Sequence, residues 1–151
     1  MKINDIIMDT IINSRIFEMA YQRKRAIDKI SNFQEPIAIH LIKYFYYSAS
    51  KETKQHWKKE LDVWFKSIRR IKLKNNKTLE GNQYYKLLFT EPLGERINVE
   101  DIIDDINYDE NMKEMSGKMT ISELHVKLEK LLHTISYDIS NNKFKTINDY
   151  L

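Results

Sequence analysis

Three glycines and two prolines are all the backbone punctuation in this 151-residue chain, and that scarcity constrains the fold more than any other feature. Gly and Pro stop helices and set tight turns, so long helices have few places to end. The apolar residues agree. Trp57, Leu61, Trp64, Ile68 and Ile71 lie four, three, four and three apart, the strongest helical period in the chain. No stretch alternates as a half-buried strand requires, and no internal repeat is visible. The expectation is an all-α protein, one domain over 1–151, built as a bundle of five to seven helices.

Local signals place the helices. A first runs from about Asn4 to about Ser31, with a weak point at Asn13 and Ser14. Pro36 suits the first turn of a second, where a missing N–H is harmless. That second helix, near 36–49, is apolar almost all round (Ile37, Ile39, Leu41, Ile42, Tyr44, Phe45, Tyr46, Tyr47), the pattern of a central buried element. Ser50 caps a third helix, Lys51 to about Leu73, and Thr78 a fourth ending near Phe89. Thr90 to Arg96, with Pro92 and Gly94, reads as a loop. Asn98 caps a short helix carrying Val99, Ile102, Ile103 and Ile106. Asn107 to Met119 reads as a loop. Thr120 and Glu123 form a capping box ahead of Ile121, Leu124, Leu128, Leu131 and Ile135. That last long helix stops at Asn141-Asn142, and one more turn follows at Thr146 to Leu151.

Composition bounds the function classes. A chain 42% hydrophobic and 31% charged is globular rather than disordered. With no cysteine, disulfides and thiolate metal sites are excluded. Met1 to Ile12 contains Asp5 and Asp9 and lacks the continuous apolar stretch of a signal peptide. Ile37 to Tyr47 is interrupted by His40 and Lys43 and falls far short of the roughly 20 residues of a membrane span. A cytoplasmic protein with no membrane partner is expected.

Charge is segregated. Lys51 to Lys77 holds ten Lys/Arg against three acids, and Glu91 to Glu114 holds nine acids against Arg96 and Lys113. The two stretches carry net charges of +7 and −7 in a chain of net +3. At 100° per residue, Lys51, Lys58, Lys59, Lys66, Arg69 and Arg70 fall opposite the Trp57–Ile71 stripe. Glu100, Asp101, Asp104 and Asp105 fall opposite Val99, Ile102 and Ile106. Both charged sets are expected to face away from the core.

No catalytic or cofactor motif accompanies them. Asp105, Asn107 and Asp109 open like a calcium loop, but Glu110 stands where the turn needs Gly and Ser116 where a bidentate Glu is needed. His125, Glu129 and His133 share a helical stripe, yet no second helix offers complementary ligands. His40 and His56 stand alone. Gly81, Gly94 and Gly117 are isolated, so no phosphate loop exists, and no nucleophile elbow occurs. No metal and no cofactor is expected, and no enzyme activity.

The expectation is therefore a non-catalytic helical protein that binds a macromolecule. A protein partner would meet the acidic face, Glu100, Asp101, Asp104, Asp105 and Asp109, where charge complementarity speeds association and fixes register. Size and character are those of toxin-neutralising immunity proteins and anti-defence proteins. The alternative is a DNA- or RNA-associated subunit that neutralises phosphates with Lys58, Lys59, Lys66, Arg69 and Arg70. Homo-oligomers joined basic face to acidic face are a further expectation.

Overall fold

The computed structural model describes residues 2–75, 98–117 and 119–151. Among them are five α-helices: α1 (Ile3–Tyr46), α2 (Lys51–Lys74), α3 (Val99–Ile106), α4 (Glu110–Glu114) and α5 (Ile121–Ser140), followed by a 3₁₀ turn at Ile147–Asp149. No strand occurs among the described residues. The helix expected at Thr78–Phe89 and the loop at Thr90–Arg96 lie outside them. No helix among the described residues is long and apolar enough to cross a membrane.

The helix starts follow from local chemistry. Ser50 Oγ accepts from the Thr53 amide at 3.2 Å, Asn98 Oδ1 from the Asp101 amide at 3.2 Å, and Thr120 Oγ1 from the Glu123 amide at 3.1 Å. Each satisfies a backbone donor that the first turn leaves without an intrahelical partner. Helix α5 ends as its two asparagines require. Asn142 takes a left-handed φ of 58°, and the Lys143 amide returns to the Asp138 carbonyl at 2.7 Å, which closes the helix end.

Two expected boundaries are corrected. The first two helices are one, and Pro36 lies inside it rather than at its start. Pro36 supplies no N–H for the Asn32 carbonyl. Asn32 is exposed, so water can take that acceptor. On either side of Pro36, Ala26 and Ile30 and then Ile37, Leu41 and Ile42 are buried in the same core. Burial on both sides outweighs a proline cost of about 3 kcal/mol. The second correction is in the Asn107–Met119 loop, which contains the short α4. Asp109 starts it by accepting from the Asn111 amide at 3.0 Å.

One buried cluster joins the second half of α1 to Leu61, Phe65 and Ile68 of α2, Val99 and Ile103 of α3, the Leu124–Ile139 stripe of α5, and Phe144 and Ile147 of the C-terminal segment. Within 36–49, Ile37, Leu41, Ile42 and Tyr47 are buried, while Ile39, Tyr44, Phe45 and Tyr46 are half-buried. The buried side of α2 is turned from the expected one. It runs Trp57, Leu61, Phe65, Ile68, Lys72, with Trp64 and Ile71 only half-buried. The cause is Phe144, whose ring centroid lies 5.9 Å from that of Phe65. In α5, Leu132 takes the buried place expected of Leu131.

The first half of α1 differs in kind from the rest. Every described residue from 2 to 25 is exposed, including Ile3, Ile7, Ile12, Ile16, Phe17 and Tyr21. This arm has no apolar cover among the described residues.

Candidate functional site

The rotation of α2 brings the C-terminal segment onto the flank where the basic residues lie, and Lys58, Arg69 and Lys72 are drawn into holding it. Arg69 Nη1 donates to the Phe144 carbonyl at 3.2 Å and the Lys145 carbonyl at 3.3 Å. Lys58 Nζ reaches the Leu151 carbonyl at 3.5 Å. Lys66 pairs with Asp62 Oδ2 at 2.7 Å, and Arg70 Nε approaches the Lys66 carbonyl at 3.5 Å. Lys72, 5% exposed, donates to Asn142 Oδ1 at 2.8 Å, and burial lowers its pKa.

Asp62 anchors the same segment. Its Oδ1 accepts from the Ile147 amide at 2.9 Å and from Thr146 Oγ1 at 3.1 Å. Burial alone would raise the Asp62 carboxyl. The hydrogen bonds from Lys66, the Ile147 amide and Thr146 outweigh it and hold the pKa below the ordinary carboxylate value. The expected outward arc of basic charge is thus corrected, because Lys58 and Arg69 face the C-terminal backbone rather than open solvent. Lys59 and Arg70 remain exposed. Lys59 shares an open cleft of about 460 Å³ with Gln55, His56, Lys58, Asp62, Ile147 and Asn148.

The acidic residues behave differently. Val99 and Ile103 are buried, Ile102 and Ile106 half-buried, and Glu100, Asp101, Asp104, Asp105 and Asp109 all exposed. Apart from the cap that Asp109 makes, the structure brings none of them to a hydrogen-bonding or ion-pair partner among the described residues. Tyr108, 93% exposed, stands beside Asp109. The platform beneath is firm. Tyr47, fully buried, donates through its hydroxyl to Asn107 Oδ1 at 2.7 Å, and the Ser48 amide donates to the Met115 carbonyl at 2.9 Å. Burial first, then Tyr46 and Asp104, push the Tyr47 hydroxyl up to about 12, so it remains a donor at any ordinary pH. Asn107, one of the calcium-loop residues, is therefore engaged in holding α3 against α1.

A cluster not legible in sequence joins α1 to α2. His40 and His56, expected to stand alone, meet at one carboxylate. His40 Nε2 contacts Glu60 Oε2, and His56 Nε2 lies 3.2 Å from Glu60 Oε1. His40 Nδ1 lies 3.1 Å from the Pro36 carbonyl, and its ring meets Trp64 edge to face with centroids 4.6 Å apart. Both ring nitrogens of His40 face acceptors, so only the doubly protonated ring satisfies both. Burial opposes that state and lowers the His40 pKa, with Glu60 pulling the other way and Lys43 reinforcing burial. The sequence signal was two i,i+4 pairs, Pro36/His40 and His56/Glu60, on helices whose mutual phase no local rule supplies.

His125 is half-buried, while Glu129 and His133 are exposed. Among the described residues no group of three or more His, Asp or Glu side chains is arranged to hold a metal ion. A second cleft, about 500 Å³, is more apolar. Tyr44, Phe45, Leu131, Thr134, Tyr150 and Leu151 line it together with Lys127 and Lys130, and the Lys127 ammonium sits 4.5 Å over the Phe45 ring. The chain matches no family model, no curated protein and no solved structure.

Proposed function

We propose that this chain is a non-catalytic binding protein that engages a basic protein partner through the acidic face of α3 and the α3–α4 turn. One observation carries the reading: Glu100, Asp101, Asp104 and Asp105 are exposed and unpaired among the described residues, on a helix held by Tyr47 and Asn107. Clustered charge without internal neutralisation projects a field that accelerates encounter with an oppositely charged surface. Tyr108, almost wholly exposed, supplies an aromatic side chain of the type that anchors interfaces. The role is of the kind served by toxin-neutralising immunity proteins and anti-defence proteins, and a cytoplasmic setting is part of the proposal.

The alternative, nucleic-acid binding through Lys58, Lys59, Lys66, Arg69 and Arg70, has less charge to spend. Lys58 and Arg69 contact the C-terminal backbone, and Lys66 is paired with Asp62. Retention from the native host, with and without nuclease, separates the two. A polypeptide retained after nuclease, released by salt, and lost in the combined Glu100→Lys, Asp101→Lys, Asp104→Lys, Asp105→Lys variant supports the acidic face. Retention that vanishes with nuclease, or in Lys59→Glu/Arg70→Glu, transfers the function to the basic face. If no macromolecule is retained, both readings fail.

A further inference from the structure

The exposed arm of α1, residues 3–25, is about 34 Å long at 1.5 Å per residue. An isolated helix is marginal in water, and most helical stability comes from packing an apolar face. One stripe of this arm has a definite composition. Asp5, Met8, Ile12, Ile16, Met19 and Arg23 fall within an arc of about 80° at 100° per residue. Of the buried residues of the same helix, Ala26, Ile30, Gln34, Ile37 and Leu41 occupy that same arc, and Ala38 and Ile42 lie to one side of it. The stripe is thus the core-facing side of α1 continued beyond the core, and its apolar members Met8, Ile12, Ile16 and Met19 are 49–61% exposed.

The stripe reads nearly the same in chemistry from both ends. About position 14, Ile12 is matched by Ile16, Met8 by Met19, and Asp5 by Arg23. Charge along the arm is polarised in the same sense, with Asp5 and Asp9 near its start and Arg23, Lys24 and Arg25 at its end. A two-fold interface requires a patch complementary to itself. Run antiparallel, two such stripes place isoleucine on isoleucine, methionine on methionine, and each acidic end against a basic end. Run parallel, they place acid on acid and base on base, which is unfavourable.

We propose that a second copy of this chain covers the arm, with the two Ile3–Arg25 segments packed antiparallel through Met8, Ile12, Ile16 and Met19. A partner of one sign of charge is a poorer fit, because the stripe pairs one acid with one base. The opposite side of the arm carries Ile3, Ile7 and Tyr21, also exposed, so such pairs can stack into a tetramer of two dimers. The contact is distinct from any joining of acidic and basic faces, and it does not rest on the acidic-face proposal.

Sedimentation of the full chain tests this directly. A dimer, or a pair of dimers, is expected at about 100 µM, where a micromolar association is largely complete, and it should persist in 1 M salt on the order of a 3 Å Debye length. Ile12→Glu/Ile16→Glu should convert it to monomer, with helicity of the core retained because neither side chain is buried. The chain has no cysteine, so orientation can be read from single introduced ones. Met8→Cys mixed with Met19→Cys should form a hetero-disulfide, and Met8→Cys alone should not cross-link. A monomer at every concentration overturns the proposal, including one whose melting falls in Ile12→Glu/Ile16→Glu because its own chain covers the arm. An oligomer indifferent to that variant but dissolved by salt is held by charged faces, and also overturns it. A disulfide formed by Met8→Cys alone refutes the antiparallel arrangement.

Discussion

Replacing Asp62 with alanine tests whether the C-terminal segment is part of the folded core or an appendage on α2. Its Oδ1 accepts from the Ile147 amide and the Thr146 hydroxyl, and its Oδ2 pairs with Lys66. Hydrogen bonds to an ionised acceptor contribute about 1.5–3 kcal/mol each when well shielded. The Asp62 side chain is 20% exposed and that of Lys66 39%, so the ion pair adds only a few tenths. Taking the lower edge for the two hydrogen bonds, Asp62→Ala should cost about 3 kcal/mol, or roughly 6–12 °C in Tm for a chain of this length. Asp62→Asn keeps a carbonyl acceptor for the Ile147 amide and should cost about 1 kcal/mol. The pH dependence has a fixed sign. The folded pKa of Asp62 lies below the reference 3.8, so its contribution is complete above that value and is lost as pH falls through the folded pKa. Urea unfolding followed by circular dichroism at pH 7 and pH 3 should therefore show a gap between wild type and Asp62→Ala that narrows in acid. A variant melting within about 1 °C of wild type, or a gap unchanged at pH 3, would refute the anchoring argument.

Two further outcomes are expected. Tyr47→Phe removes the bond to Asn107 from a buried site and should cost about 1 kcal/mol. Amide exchange should show the loss concentrated in α3, and uniform loss across all helices would contradict the placement. His40, with its pKa lowered from 6.5 chiefly by burial, contributes stability that is present above 6.5 and lost as pH falls through its folded value. His40→Gln should therefore flatten the fall in Tm between about pH 7 and 5, and an unchanged slope across that window would remove His40 as its source.

Much of the architecture was legible in sequence where the cause is local. Ser50, Asn98 and Thr120 start helices because a side-chain oxygen reaches an amide two or three residues away. The acidic face was legible for the same reason, since eight residues of α3 hold both the apolar stripe and the charges opposite it. Failures come where a distant residue decides. Pro36 reads as a helix start by its own geometry, but the core contacts of Ala26 and Ile30 on one side and Ile37 and Leu41 on the other carry the helix through it. Helix α2 turns toward Phe65 and Lys72 because Phe144 and Asn142, 79 and 70 residues further on respectively, lie against that flank. The same displacement removes Lys58 and Arg69 from the free basic surface.

The His40–Glu60–His56 cluster and the arm of α1 escaped for opposite reasons. The cluster depends on the relative rotation of two helices, which no single stretch of sequence contains. The arm, by contrast, follows the expected pattern closely, since Met8, Ile12, Ile16 and Met19 continue the spacing of residues that are buried further along α1. Periodicity identifies which face of a helix gains by leaving water. It does not say whether the covering surface comes from the same chain. That difference appears only once burial is known. Ala26 is 2% exposed and Ile30 3%, while Ile16, ten residues before Ala26 on the same stripe, is 61% exposed. A face that is core at one end and solvent at the other has the same physical demand along its whole length, and at the arm it is the proposed second copy that would meet it.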